Sequence, residues 1–151
     1  MRIGVISDTH GLLRPEALAA LEGCERIIHA GDIGKPQVLT ALQAIAPLDV
    51  IRGNIDNGDW AEGLPERLKL DHGGVRLYVL HDLKTLDFDP AARGIGVVIS
   101  GHSHKPGIER RGEVLYLNPG SAGPRRFSLP ISLALLDVEN GSAHAELVAL
   151  D

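Results

Sequence analysis

The chain has 151 residues, 44% of them apolar, which fits one globular domain over residues 1–151. Its net charge of −5 argues against a protein that binds long nucleic acids, since such binding needs a basic face. The single cysteine, Cys24, excludes an intrachain disulfide and a zinc site built from several thiolates. No apolar run approaches the roughly 18 residues of a membrane span, and no signal peptide is evident, so we expect a cytoplasmic protein without a membrane segment.

Short apolar strands alternate with helical patterns in the first third of the chain. The predicted elements, in chain order, are a strand at 3–6, a helix at 15–22, a strand at 27–28, a helix at 36–46 and a strand at 48–51. The second helix has apolar residues at helical spacing and Pro47 as its stop. This order predicts a parallel sheet covered by helices.

The rest of the chain favours antiparallel strands, because turn residues separate pairs of apolar runs. Hairpins are predicted over 67–80, 107–117 and 132–150, the last around Asn140-Gly141, and a buried strand over 97–100. Two sheets packed face to face, with helices outside, accommodate these elements economically.

Side chains that bind metals follow five of the apolar strands. They are two carboxylates, one amide and four imidazoles: Asp8, Asp32, Asn54, His10, His81, His102 and His104. Ligands in open α/β sheets bind beyond the carboxyl ends of the strands, so we expect this chemistry along one edge of the sheet. Each motif alone also has a structural interpretation, such as a helix cap, a turn or a packed histidine, but the five together favour a site.

The donor types indicate which site this is. Nitrogen and oxygen donors without thiolate suit zinc, manganese, iron, nickel or cobalt. Seven donors are too many for one tetrahedral ion, but they fit two ions with places left for water. If one carboxylate bridges, its two oxygens hold ions about 3.5–4 Å apart, the separation found in two-metal hydrolases.

The combined motifs resemble those of the calcineurin-like metallophosphoesterase superfamily. They are Asp8-x-His10, Gly31-Asp32, Gly53-Asn54-Ile55-Asp56, His81 and Gly101-His102-Ser103-His104. The short chain, Arg52 before Gly53, and the run Leu117-Asn118-Pro119-Gly120-Ser121 resemble the small bacterial and archaeal phosphodiesterase branch, which is related in fold to the eukaryotic retromer subunit. The resemblance implies an α/β fold, a four-layer αββα sandwich of two mixed β-sheets flanked by helices.

The resemblance also implies two divalent metal ions, with manganese expected first and nickel, zinc, iron or cobalt as alternatives. One ion is expected on Asp8, His10, Asp32 and His104, and the second on Asp32, Asn54, His81 and His102. Spacing alone would place His102 and His104 on the same ion, whereas the family divides them. Asp32, Asn54 and His81 are expected to be catalytic, and Asn54 and Arg52 to bind substrate, although Arg52 could instead pair with Asp56.

We therefore expect a phosphodiesterase that acts on a small phosphate ester, using a metal-bridging hydroxide for in-line attack on phosphorus. The alternatives are a phosphomonoesterase, including a phosphoprotein phosphatase, and a non-catalytic protein-binding scaffold of the same fold. The sequence does not decide whether the chain forms a homo-oligomer, what its natural substrate is, or which roles Arg125 and Arg126 have. Ile55 replaces a histidine that is frequent in larger relatives, so the proton donor to the leaving group is open too.

Overall fold

The computed structural model describes residues 1–151, in which ten strands form two five-stranded sheets. In spatial order, the first sheet contains β10 (Ser142–Ala149), β9 (Ser132–Glu139), β1 (Arg2–Ile6), β2 (Arg26–His29) and β3 (Leu48–Val50). The second sheet contains β4 (Arg67–His72), β5 (Val75–Leu80), β6 (Ile95–Ile99), β8 (Val114–Asn118) and β7 (Gly107–Arg111).

Strand directions agree with most of the sequence prediction. Strands β1, β2 and β3 are parallel, and the predicted hairpins β4–β5, β7–β8 and β9–β10 are antiparallel. The second sheet differs from the mainly antiparallel arrangement expected for this half, because β5, β6 and β8 run parallel. Both sheets are therefore mixed, as the family resemblance implied.

The main core lies between the two sheets and consists of 15 buried aliphatic residues, with no aromatic ring among them. A second core lies on the outer face of the first sheet, against α1 (Pro15–Leu21) and α2 (Pro36–Gln43). Each of these helices begins with a proline, whose fixed φ suits the first turn. A short α3 (Asp59–Glu62) follows the third strand, and no helix is long and apolar enough to cross a membrane.

The outer layer on the second sheet is thin. Two single-turn 3-10 helices, Leu83–Thr85 and Ala91–Arg93, lie in this part of the chain. Only four fully buried side chains form the cluster there: Leu80, Ile95, Val98 and Val114. The architecture is the expected αββα sandwich, with its second outer layer reduced to these turns and to partly buried side chains.

Candidate metal centre

The seven predicted site residues converge at one end of the sandwich. Six of them supply donor atoms in two groups, and within each group the atoms lie within 4.8 Å of one another. The first donor group is Asp8, His10 and His104, and the second donor group is Asp32, His81 and His102. The sequence had suggested a site along the edge of one sheet. Instead both sheets contribute, because the loops after β1, β2 and β3 meet those after β5 and β6.

Asp32 links the two donor groups through a single oxygen. Its Oδ2 lies 3.6 Å from Nε2 of His10 and 3.3 Å from Nε2 of His81. Its Oδ1 instead accepts a hydrogen bond from the backbone N–H of Ile55, at 3.2 Å. Oδ2 is thus the Asp32 oxygen that faces a histidine of each donor group.

Five of the seven residues have backbone conformations that L-amino acids rarely adopt. Their φ angles are 55° at Asp8, 46° at His10, 56° at Asp32, 68° at His102 and 61° at His104. Only two other non-glycine residues of the chain, Phe127 and Asn140, have positive φ. Such conformations cost about 1–3 kcal/mol each and cluster at functional sites, where they direct side chains that regular structure would hold apart.

Asp8 shows that a cation fits the first donor group. Its Oδ2 accepts hydrogen bonds from Ser7 Oγ at 2.7 Å and from the backbone N–H of His102 at 3.0 Å. Its Oδ1 is buried and has no hydrogen-bond partner, and the same is true of His10 Nε2, 3.8 Å away. Burying such atoms without a partner costs about 1–3 kcal/mol or more each, and a cation between them would remove that cost.

Asn54 completes the second donor group. With its NH2 group turned towards the site, the amide donates to Asp32 Oδ1 at 3.0 Å, and when His81 Nε2 is unprotonated it also donates to that nitrogen at 3.1 Å. With its oxygen turned inwards, the same amide adds a lone pair to those of Asp32 and His81. When Nε2 of His81 has lost its proton, that second orientation brings three acceptors together, which a bound cation would stabilise.

His81 is oriented by the backbone of the first sheet. Its Nδ1 lies 2.7 Å from the carbonyl oxygen of Ala30, so Nδ1 carries the proton and Nε2 faces Asp32. Burial lowers the pKa of His81, but the hydrogen bonds to Asp32 and Ala30 outweigh it and raise that pKa to about 9. Without an ion, Nε2 therefore carries a second proton at neutral pH, and His81 and Asp32 form an ion pair.

Comparison with known proteins agrees with this geometry. Residues 1–141 match the calcineurin-like phosphoesterase superfamily domain. The chain belongs to this superfamily. It is 37% identical to a probable metallophosphoesterase of Methanothermobacter thermautotrophicus, covering 98% of this chain and 92% of that protein. It is 30% identical to the phosphodiesterase YfcE of Escherichia coli K12, covering 91% and 88%.

Solved structures share the fold. Vps29 of Chaetomium thermophilum superposes with a TM-score of 0.79 and 20% identity, covering 99% of this chain and 96% of that one. At this identity the likeness concerns the fold alone. The fold of this chain is thus shared with Vps29.

Sequence reasoning did not assign a role to His29, which is fully buried below the calcineurin-like site. Its Nδ1 accepts a hydrogen bond from Gly31 N at 3.1 Å, so Nε2 carries the proton and faces Thr9 Oγ1 at 3.0 Å. Thr9 in turn donates to the carbonyl of Ile33 at 2.9 Å. Burial lowers the pKa of His29 to about 4, so the ring is neutral. The one signal in the sequence is its position directly before Ala30-Gly31-Asp32.

Asp56 and Arg52 differ from what the sequence suggested. Asp56 is buried, and its two oxygens accept hydrogen bonds from the backbone N–H groups of Ile33, Gly34 and Gly53, at 2.8–3.2 Å. It therefore joins the loops after β2 and β3. Arg52 does not pair with Asp56 but with Glu66, at 3.0 Å.

Two glycines allow the loops to approach this closely. A Cβ on Gly53 would lie 2.2 Å from both the nitrogen and Oδ1 of Asp32. A Cβ on Gly101 would lie 2.1 Å from Ser7 Oγ and 2.6 Å from Asp8 Oδ2. In each case a side chain would clash with a site aspartate, and at Gly101 also with the serine bonded to it, so these positions require glycine.

Proposed function

We propose that this chain is a dinuclear metal-dependent phosphodiesterase, with manganese as the first candidate metal. The observation that carries the proposal is the pair of buried, unpartnered atoms Asp8 Oδ1 and His10 Nε2 inside a cluster of nitrogen and oxygen donors. Asp8, His10, Asp32 and His104 would hold one ion, and Asp32, Asn54, His81 and His102 the other. When bound, such ions polarise phosphoryl oxygens and activate the attacking water.

Three residues have roles beyond charge in this proposal. Asp32 is the bridging ligand, because its Oδ2 faces both donor groups. His81 presents a fixed Nε2, because Ala30 holds its Nδ1 proton. Asn54 presents its amide oxygen to the second ion, which leaves its NH2 group to donate a hydrogen bond to a phosphoryl oxygen.

The space around the second donor group favours a diester over a monoester. One pocket of about 390 Å³ contains Arg52, Asn54 and His81 in its wall. A second, of about 740 Å³, opens on the other side and shares Asp82 and His102 with the first. A monoester needs room for one ester group, whereas a diester needs room for two. In the smaller pocket, Arg52 pairs with Glu66 through one nitrogen and has other N–H groups for a phosphate.

The test is a substrate panel on metal-stripped protein reloaded with Mn²⁺, Ni²⁺ or Zn²⁺. We expect kcat/KM for bis(4-nitrophenyl) phosphate to exceed that for 4-nitrophenyl phosphate, and turnover to vanish on stripping. His144→Ala, on the outer strand β10, is the control for loss of a histidine outside the site. A higher kcat/KM for the monoester would favour a phosphomonoesterase. Full metal loading without turnover of either ester would favour a scaffold.

A further inference from the structure

The segment after β8 is fixed against the loop that carries Asp8. Ser121 Oγ donates a hydrogen bond to the carbonyl oxygen of Asp8 at 2.9 Å, and Ala122 N donates to that of Ser7 at 3.1 Å. Gly123 packs so closely that a Cβ there would lie 2.3 Å from the carbonyl oxygen of Thr9. The chain therefore leaves Gly123 directly beside the first donor group.

Phe127 follows in this segment and is unusual in two ways. Its side chain is 88% exposed, although the four other aromatic residues of the chain are partly buried. Its φ is 54°, in the left-handed region that a bulky aromatic residue rarely occupies. The chain thus holds a phenyl ring in solvent, in a strained conformation, a few residues from the metal centre.

The two arginines before it have different surroundings. Arg125 pairs with the carboxylate of Asp151 and donates to the carbonyl oxygen of Leu129 at 3.1 Å. Arg126 has no ion pair and no hydrogen bond from its side chain, so its guanidinium is free to bind a ligand.

Arg126 follows Gly123 by three residues, a span of at most about 11 Å along the chain. Because Gly123 packs against the backbone carbonyl oxygens of Asp8 and Thr9, the long side chain of Arg126 can reach the first donor group.

We propose that Arg126 and Phe127 form a substrate-binding arm, in which the guanidinium contacts a phosphoryl oxygen and the phenyl ring contacts a planar aromatic ester group. This inference rests on the proposed function and narrows its substrate class to diesters with an aromatic or nucleobase-like group. A guanidinium suits phosphate oxygens because it donates two parallel hydrogen bonds. Packing of a solvent-exposed phenyl ring against another aromatic ring is favourable and would stabilise the complex.

Two substrates with the same leaving group test the role of Phe127. Bis(4-nitrophenyl) phosphate and methyl 4-nitrophenyl phosphate both release 4-nitrophenolate and differ only in the retained group. Phe127→Ala should lower kcat/KM for the first by about 3- to 10-fold, the range of one aromatic contact, and change the second by less than about twofold. Equal losses for both substrates, or no loss for either, would overturn the role of the ring.

Arg126→Gln and Arg125→Gln form a matched pair, because each removes one positive charge from the same segment. Arg126→Gln should lower kcat/KM for both diesters by about tenfold or more, as expected for a charged hydrogen bond to phosphate. Arg125→Gln should change it by less than about twofold. The reverse order would assign the phosphate contact to Arg125 and overturn the proposal.

Binding of inert analogues separates this inference from the proposed function. Diphenylphosphinate and dimethylphosphinate carry the same charge and cannot be hydrolysed at phosphorus. Calorimetry on metal-loaded protein should show that Phe127→Ala weakens binding of diphenylphosphinate about 3- to 10-fold but leaves dimethylphosphinate unchanged.

That binding result would stand even if no diester were turned over, in which case only the proposed function fails. If Phe127→Ala leaves binding of both phosphinates unchanged while diester turnover is intact, the substrate-binding arm is refuted and the proposed function is not. If Phe127→Ala alters only the oligomeric state in sedimentation experiments, the ring is a subunit contact and the proposal is wrong.

Discussion

His29 Nε2 lies 3.0 Å from Thr9 Oγ1 and connects the end of β2 to the loop after β1. Both side chains are fully buried, and each has a second backbone partner, Gly31 N for His29 and the carbonyl of Ile33 for Thr9. The connection requires a neutral ring, because Nδ1 must accept a hydrogen bond. The loops that carry Asp8 and Asp32 therefore rest on a histidine that protonation would disrupt.

This network predicts a loss of stability in mild acid. The pKa of His29 is about 4 in the folded chain against 6.5 as the reference value, so the unfolded state binds more protons between these values. The contribution of the neutral ring is present above pH 6.5 and is lost as pH falls towards 4. A difference of this size is worth roughly 3 kcal/mol.

Denaturant unfolding of metal-free protein at pH 7 and pH 4.5 measures this loss. His29→Gln should remove most of the pH dependence between these points, whereas His144→Gln, at an exposed histidine on β10, should leave it unchanged. If wild type and His29→Gln lose free energy of unfolding in parallel, His29 is not the titrating group.

Metal binding should release protons near neutral pH. In the ion-free chain the pKa of His81 is about 9, so at pH 7.5 its imidazole is protonated and must lose that proton to become a ligand. Calorimetric titration with Mn²⁺ in buffers of different ionisation enthalpy should show release of about one proton or more. Metal affinity should rise with pH up to about 9. Heats that do not depend on the buffer would contradict this prediction.

Asp32→Ala should lose both metal ions while the fold remains. Only Asp32 Oδ2 faces both donor groups, so its removal takes a ligand from each ion. Elemental analysis should show little metal, with an unchanged circular dichroism spectrum and no diester turnover. Asp137→Ala, which removes a carboxylate paired with Arg2 away from the site, is the control. A full complement of metal in Asp32→Ala would rule out the bridging role.

The rate of hydrolysis should depend strongly on the pKa of the leaving group. Ile55 has a 38% exposed side chain at the edge of the centre and cannot donate a proton. Asp56, the nearest carboxylate in sequence, is occupied by backbone N–H groups. General acid catalysis typically contributes about 10²–10⁴ in rate, so its absence should give a steep slope of log kcat against leaving-group pKa.

Ile55→His should flatten that slope if the ring reaches the leaving oxygen, and Ile55→Leu should leave it unchanged as the aliphatic control. A shallow slope in the unmodified enzyme would mean that another group donates the proton. Asp56→Asn would then show whether that group is Asp56 after all.

Local sequence signals were sufficient to predict many of the secondary-structure elements and the candidate site residues. The hairpin around Asn140-Gly141, the proline-initiated helices and the apolar strands ending in Asp, Asn or His are visible because each depends on a few neighbouring residues. Metal chemistry also follows from these strand-terminal residues, since the carboxyl ends of strands meet at one end of such a fold. The family resemblance rests on the same short motifs, and the match over residues 1–141 agrees with it.

Only the tertiary structure decided how these pieces meet. Strands β5, β6 and β8 pair in parallel across long separations that no local pattern encodes. The partner of Arg52 is Glu66 rather than Asp56, because backbone N–H groups of the loop after β2 and of its own loop already occupy the Asp56 carboxylate. Similarly, His29 resembles the site histidines in sequence but lies buried against Thr9. A side chain's partner depends on the burial and direction given by distant segments, and those exist only once the two sheets have packed.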